Sequence, residues 1–179
     1  MLNLSVSIAI EGKLLSNILL FQDILEDKYG IKFQKYHQAI PHINIYAGKV
    51  SNFNEILNYI KMYDFNSFKK KLTVVGLGAF LEKKPVIYIR YLNSMNLLRF
   101  RYDVMAKSKI WLLEDTTSSQ EIWFPKTTIA LRDTNYNFLS NFDNFIKNFN
   151  FKKEMIIKRI LLIEYAKGKK EKVLKTILV

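Results

Sequence analysis

The sequence predicts an α+β fold of duplicated, bilobal form, with two antiparallel sheets flanked by helices around a central cleft. Three observations carry this expectation. Some segments alternate apolar with small polar residues while others repeat apolar residues at helical spacing, so strands and helices are both present. A series of helix, strand, helix and hairpin is run through twice. Two near-identical strands, "AIPHINIYAG" and "WFPKTTIALR", stand eighty-four residues apart, with His42 in one at the place of Lys126 in the other.

Each element follows from its local pattern. "NLSVSIAIE" alternates as a strand, and Leu14 to Lys28 has the periodicity of a helix. Pro41 to Ala47 reads as a strand with Ile43 and Ile45 on one face and His42, Asn44 and Tyr46 on the other; Gly48 is expected to end it. Ser51 is the expected N-cap of a helix from about Asn52 to Tyr63, striped with Phe53, Ile56, Leu57 and Ile60. Strands from Leu72 to Leu81 and from Val86 to Leu92 follow, joined by the turn "EKKP". The second series is a helix over Met95 to Lys107, the strand "PKTTIAL", and a helix over Asn137 to Phe149 whose phenylalanines pack. A hairpin over Met155 to Tyr165 and Lys172 to Val179 closes it. One domain over 1–179 is expected, with lobe-forming repeats at about 11–92 and 93–179.

Composition narrows the functional classes. With 49% hydrophobic residues in 179, the chain can bury a sizeable core. It has no cysteine, which excludes disulfides and thiol chemistry, and only two histidines, so neither a metal nor a cofactor is expected. No apolar run is long enough for a membrane span, and Glu11 and Lys13 come too early for a signal peptide, which points to a cytoplasmic protein. A net charge of +12 favours anionic partners.

The duplication gives the two motif strands a joint meaning. Packed about a pseudo-twofold axis, they would turn His42, Asn44 and Tyr46 toward Lys126, Thr128, Ala130 and Arg132, and a concave site lined with donors and cations suits a phosphate. Tyr36, Trp111 and Trp123 lie near these strands and are candidates to stack a base. His37 has no counterpart in the second copy and reads as a loop residue.

This layout resembles the two-histidine, or 2H, phosphoesterases, which include 2'-5' RNA ligase-like proteins and cyclic nucleotide phosphodiesterases. Their pattern is a repeated His-x-Thr/Ser before an apolar residue, often after Pro, one copy per lobe. "PHINI" matches it at Pro41, His42 and Ile45, with Asn44 in place of Thr or Ser; "PKTTI" matches at Pro125, Thr128 and Ile129, with Lys126 in place of the second histidine. The resemblance implies acid and base work by paired histidines on a cyclic phosphate or related phosphodiester, for which imidazole, with a pKa of about 6.5, is suited. Lys126 and Asn44 keep anion binding and impair paired proton transfer.

The leading expectation is therefore a catalytically degenerate fold that binds and sequesters a nucleotide or cyclic oligonucleotide, as a phage-type anti-defence sponge would. The alternatives are a working phosphodiesterase with His42 catalytic, acting on cyclic nucleotides or RNA 2',3'-cyclic phosphate ends, and an RNA-binding module using the whole basic surface.

Overall fold

The computed structural model describes residues 2–65, 70–115, 123–140, 154–166 and 168–179, with the side chains of 108–115 and 140 outside the description. In chain order the elements are β1 (Leu2–Ala9), α1 (Gly12–Tyr29), α2 (Phe33–His37), β2 (His42–Val50), α3 (Phe53–Met62), β3 (Lys71–Phe80) and β4 (Val86–Tyr91). There follow α4 (Met95–Trp111), β5 (Leu112–Asp115), β6 (Lys126–Ala130), α5 (Tyr136–Ser140), β7 (Glu154–Ile156), β8 (Arg159–Glu164) and β9 (Lys172–Leu178). The expected helix over Asn137 to Phe149 begins as α5, and its remainder lies outside the described residues.

The strands form a five-stranded sheet ordered β5-β2-β1-β8-β9 and a four-stranded sheet ordered β6-β4-β3-β7. Every pair is antiparallel. Helix α1 buries Leu14, Ile18, Phe21 and Leu25 along one face and stops at Gly30, whose φ of 67° is the left-handed conformation that glycine adopts without steric cost. An apolar core joins both sheets, with Ile8, Ile43 and Leu162 from one and Ile87, Ile89 and Ile129 from the other packed with Phe100 of α4. Burial of one such Ile or Leu side chain stabilises by about 1.5–3 kcal/mol.

Several boundaries differ from the sequence-based expectation. Gly48 does not end β2: it pairs with Leu4 on one side and Asp115 on the other, and the strand runs to Val50. The cap of α3 is Asn52, not Ser51, because the Asn52 side chain accepts from the backbone N–H groups of Asn54 and Glu55. His37 ends a short helix, α2, instead of lying in a loop.

The repeats are also arranged differently from a split at 11–92 and 93–179. Each sheet takes strands from both halves, and β1 and β4 hold equivalent places beside the motif strands β2 and β6. Ala9 lies opposite His42 in one pair, and Arg90 lies opposite Lys126 in the other. Both pairs then carry a bulge at the same point. Ser7 faces Asn44 and Val6 faces Tyr46, so Ile45 is the extra residue; Tyr88 faces Thr128 and Ile87 faces Ala130, so Ile129 is.

A bulged residue leaves its carbonyl without a ladder partner, and both buried carbonyls are met by a helix of the opposite half. Arg101 of α4 donates from Nη1 to the Ile45 oxygen, while Gln22 of α1 donates from Nε2 to the Ile129 oxygen at 3.3 Å. Both donors are buried, at 3% exposure each.

Candidate functional site

A cavity of about 540 Å³ opens where β2, β6, α2 and the β8–β9 connection meet. His42, Asn44, Trp123, Lys126, Thr128 and Arg132 all line it. The strands deliver them because β2 and β6 expose the same face before their bulges: positions 42 and 44 on one, 126 and 128 on the other.

His42 is 6% exposed, and its Nδ1 lies 2.8 Å from the Ile40 carbonyl oxygen. A carbonyl only accepts, so Nδ1 carries the proton and Nε2 holds the lone pair of the neutral ring. The Gln38 amide nitrogen stands 3.4 Å from the same Nδ1, which would set donor against donor, while Gln38 Oε1 is buried without a partner among the described residues. Turning the amide by 180° would place Oε1 beside the Nδ1 proton and the NH₂ group in the buried position that Oε1 occupies. Glu171 anchors the same loop by accepting from the Ala39 N–H at 3.1 Å, and its carboxylate lies 3.9 Å from His42 Nδ1.

Asn44 is oriented from below. Its Oδ1 accepts from the hydroxyls of Ser5 and Ser7, both buried on β1, which leaves the Nδ2 donors for the cavity. Trp123 ties the motif strands together by donating from Nε1 to the Asn44 carbonyl at 3.3 Å, with the Arg101 guanidinium 4.9 Å from its ring.

Lys126 lies with Nζ 5.2 Å from the centroids of both Phe80 and Phe124. Burial in this aromatic surround, and then the Arg101 charge, hold its pKa below the usual lysine value. Arg132 follows β6 with a φ of 72°, a conformation unfavourable to a side chain bearing Cβ. Its neighbours hold it there: Asp133 Oδ2 accepts from the N–H groups of Lys32 and Phe33 at 2.6 Å each, and Thr134 donates to the Pro85 carbonyl. The guanidinium lies 4.8 Å over the Phe33 ring.

Two expected residues lie elsewhere, and a third falls outside the described side chains. Tyr46 belongs to the core at 4% exposure, because the bulge at Ile45 reverses the alternation that would have turned it to the cleft. Tyr36 is 52% exposed and donates to Glu26 at 3.0 Å, away from the cavity. Trp111 ends α4, and its side chain lies outside the described residues. Sequence reasoning missed Gln38, Phe33, Phe124, Glu171 and His37 as cavity-lining residues, together with Ser5 and Ser7 beneath the cavity. The serines were legible only as alternation in "SVS"; the others come together through long-range packing.

Arranged this way, the cavity wall carries an imidazole, an amide, a hydroxyl and two basic side chains. Among the described residues no group of metal-ligating side chains is assembled and no helix is long and apolar enough to cross a membrane.

No protein-family profile matches the chain, and no curated protein matches it in sequence. Solved structures do match over nearly the full length. TT0787 of Thermus thermophilus superposes with a TM-score of 0.64 at 14% identity, over 98% of this chain and 97% of that one. Escherichia coli LigT complexed with phosphate gives 0.59 at 11% identity, over 99% and 96%. A phosphoesterase gives 0.59 at 13% identity, over 100% and 99%. LigT has also been solved complexed with 3'-AMP, ATP and NADP+. The chain therefore shares the α+β fold of LigT and these neighbours, and at the level of the fold the resemblance drawn from "PHINI" and "PKTTI" is met.

Proposed function

We propose that the chain is a divergent 2H phosphoesterase-like protein whose cleft binds a phosphorylated nucleotide and retains it without efficient turnover. The observation that carries this reading is the register of the two motif strands: Lys126 stands opposite Arg90 as His42 stands opposite Ala9, each two residues before Asn44 or Thr128 and three before a bulged isoleucine. The site therefore has a fixed ammonium where paired acid–base chemistry would need a second imidazole. Ammonium and guanidinium groups hold phosphate well. The nucleotide complexes of LigT support a nucleotide as the ligand here. Tight retention of a cyclic nucleotide or cyclic oligonucleotide would make the protein a sequestering agent, the role of an anti-defence sponge in the cytoplasm.

A second reading has a specific observation in its favour. The lowered pKa of Lys126 brings it toward the range in which it exchanges protons, so His42 and Lys126 could act as an unequal base and acid on a phosphodiester. One experiment separates the two. Protein is incubated with a panel of nucleotides, cyclic oligonucleotides and RNA ends, freed of unbound material and heat-denatured, and the released molecules are identified. Intact ligand is the expected result. A changed product supports the phosphodiesterase, and no retained small molecule overturns the nucleotide reading.

A further inference from the structure

The ammonium that stands at the second motif position is held from behind by residues that are not part of the cavity wall. Two rows of residues cross the four-stranded sheet on the face that carries the site. One runs from Gly78 of β3 through Tyr88 of β4 to Thr128 of β6, and the next from Gly76 through Arg90 to Lys126. In the first row the Tyr88 ring lies against the bare Cα of Gly78: a Cβ there would stand 2.7 Å from Cε2, Cζ and Oη alike. Carbon atoms pack at about 3.5–4.0 Å, so no side chain fits at Gly78 while Tyr88 keeps its place. At Gly76 a Cβ would meet open space.

Seated over Gly78, Tyr88 is 8% exposed and packs on Phe80 at 4.7 Å and on Phe124 at 5.5 Å between ring centroids. Phe80 and Phe124 stand 5.9 Å apart, and Lys126 Nζ lies 5.2 Å from each. Ring faces attract an ammonium without bringing a negative charge that would neutralise it. Among the described residues no carboxylate forms an ion pair with Lys126. Phe124, Lys126 and Thr128 line the cavity, whereas Gly78, Phe80 and Tyr88 are not among its lining residues.

We infer that Gly78 and Tyr88 are positioning residues for the Lys126 ammonium: the ring seated over Gly78 backs Phe80 and Phe124, and these hold the ammonium ready for an anion with its charge intact. This rests on the nucleotide reading for the identity of the anion. Lysine has a long flexible stem, and a stem fixed before the ligand arrives loses less freedom on binding.

NMR and calorimetry together test it. In the wild type the ring currents of Phe80 and Phe124 should place the Lys126 ε-methylene proton resonance, assigned by its loss in Lys126→Met, upfield of the ordinary lysine position. Gly78→Ala should move that resonance back toward the ordinary position and weaken binding of inorganic phosphate and 3'-AMP about three- to tenfold. Gly76→Ala should change neither, and an equal loss there overturns the inference. With Tyr88→Leu already in place, Gly78→Ala should add nothing further. A wild-type resonance at the ordinary position overturns the inference with no variant needed; so does an unchanged affinity in Gly78→Ala, or an effect of Gly78→Ala that persists undiminished beside Tyr88→Leu. Wild-type protein that shows the upfield resonance but binds neither phosphate, 3'-AMP nor a cyclic dinucleotide overturns the nucleotide reading and leaves the positioning of Lys126 standing.

Discussion

Lys126 concentrates the chemistry that distinguishes this site. Replacing it with His supplies an imidazole at the register position of the second motif histidine; the expected outcome is turnover of a cyclic nucleotide by Lys126→His above the wild-type level, read by product analysis. Lys126→Met tests the charge. Because the folded pKa lies below the unfolded value near 10.5, the unfolded chain binds more protons between those two values, and stability rises with pH across that window. Below the folded pKa both states are protonated and the cost of the buried charge is fully present. Lys126→Met should therefore raise the Tm at neutral pH, by about 2–4 °C for each kcal/mol relieved, while weakening phosphate binding. An anion beside Lys126 favours its charged form, so binding on the alkaline side of the folded pKa takes up a proton. Calorimetry in buffers of different ionisation enthalpy should detect that uptake in the wild type and not in Lys126→Met. At this scale the lining of the cleft was largely legible: His42, Asn44, Lys126, Thr128 and Arg132 line it as their spacing suggested, and Trp123, expected near the motif strands, lines it too. Tyr46 was not, since strict alternation cannot anticipate an inserted residue.

The bulges decide where each motif strand stops facing the cleft, and the helices facing them differ in one respect. Gln22 meets the Ile129 carbonyl as a neutral amide, whereas Arg101 meets that of Ile45 as a buried cation that also lowers the Lys126 pKa. Arg101→Met leaves a buried carbonyl unpaired and should cost about 1–3 kcal/mol in chemical denaturation. Arg101→Gln should recover part of that loss and shift the proton-uptake window of ligand binding to higher pH, because a like charge is gone. Helices and hairpins were legible because their periodicities are local, as in α1, β3 and β4. The break between β7 and β8 was not, because it exists only to let one segment pair with β3 in one sheet and its continuation with β1 in the other.

For the molecule as a whole, the net charge of +12 and the defined cleft make different demands on salt. Ligand held by a few cations in the cavity should lose affinity gradually as salt rises. RNA bound over the whole surface would lose it steeply, and a binding titration from low to moderate ionic strength distinguishes them. The two-sheet architecture was legible as a repeat, while the partition of strands was not, because the sequence records order along the chain and not which half supplies a neighbour.

That partition has a practical consequence. With α1 serving the kink in β6 and α4 the kink in β2, each half is finished by the other, like two hands clasped at the wrists. A chain severed in the exposed turn at Glu82–Lys84 should yield fragments that are insoluble when made separately and that reassemble into a ligand-competent heterodimer when co-expressed.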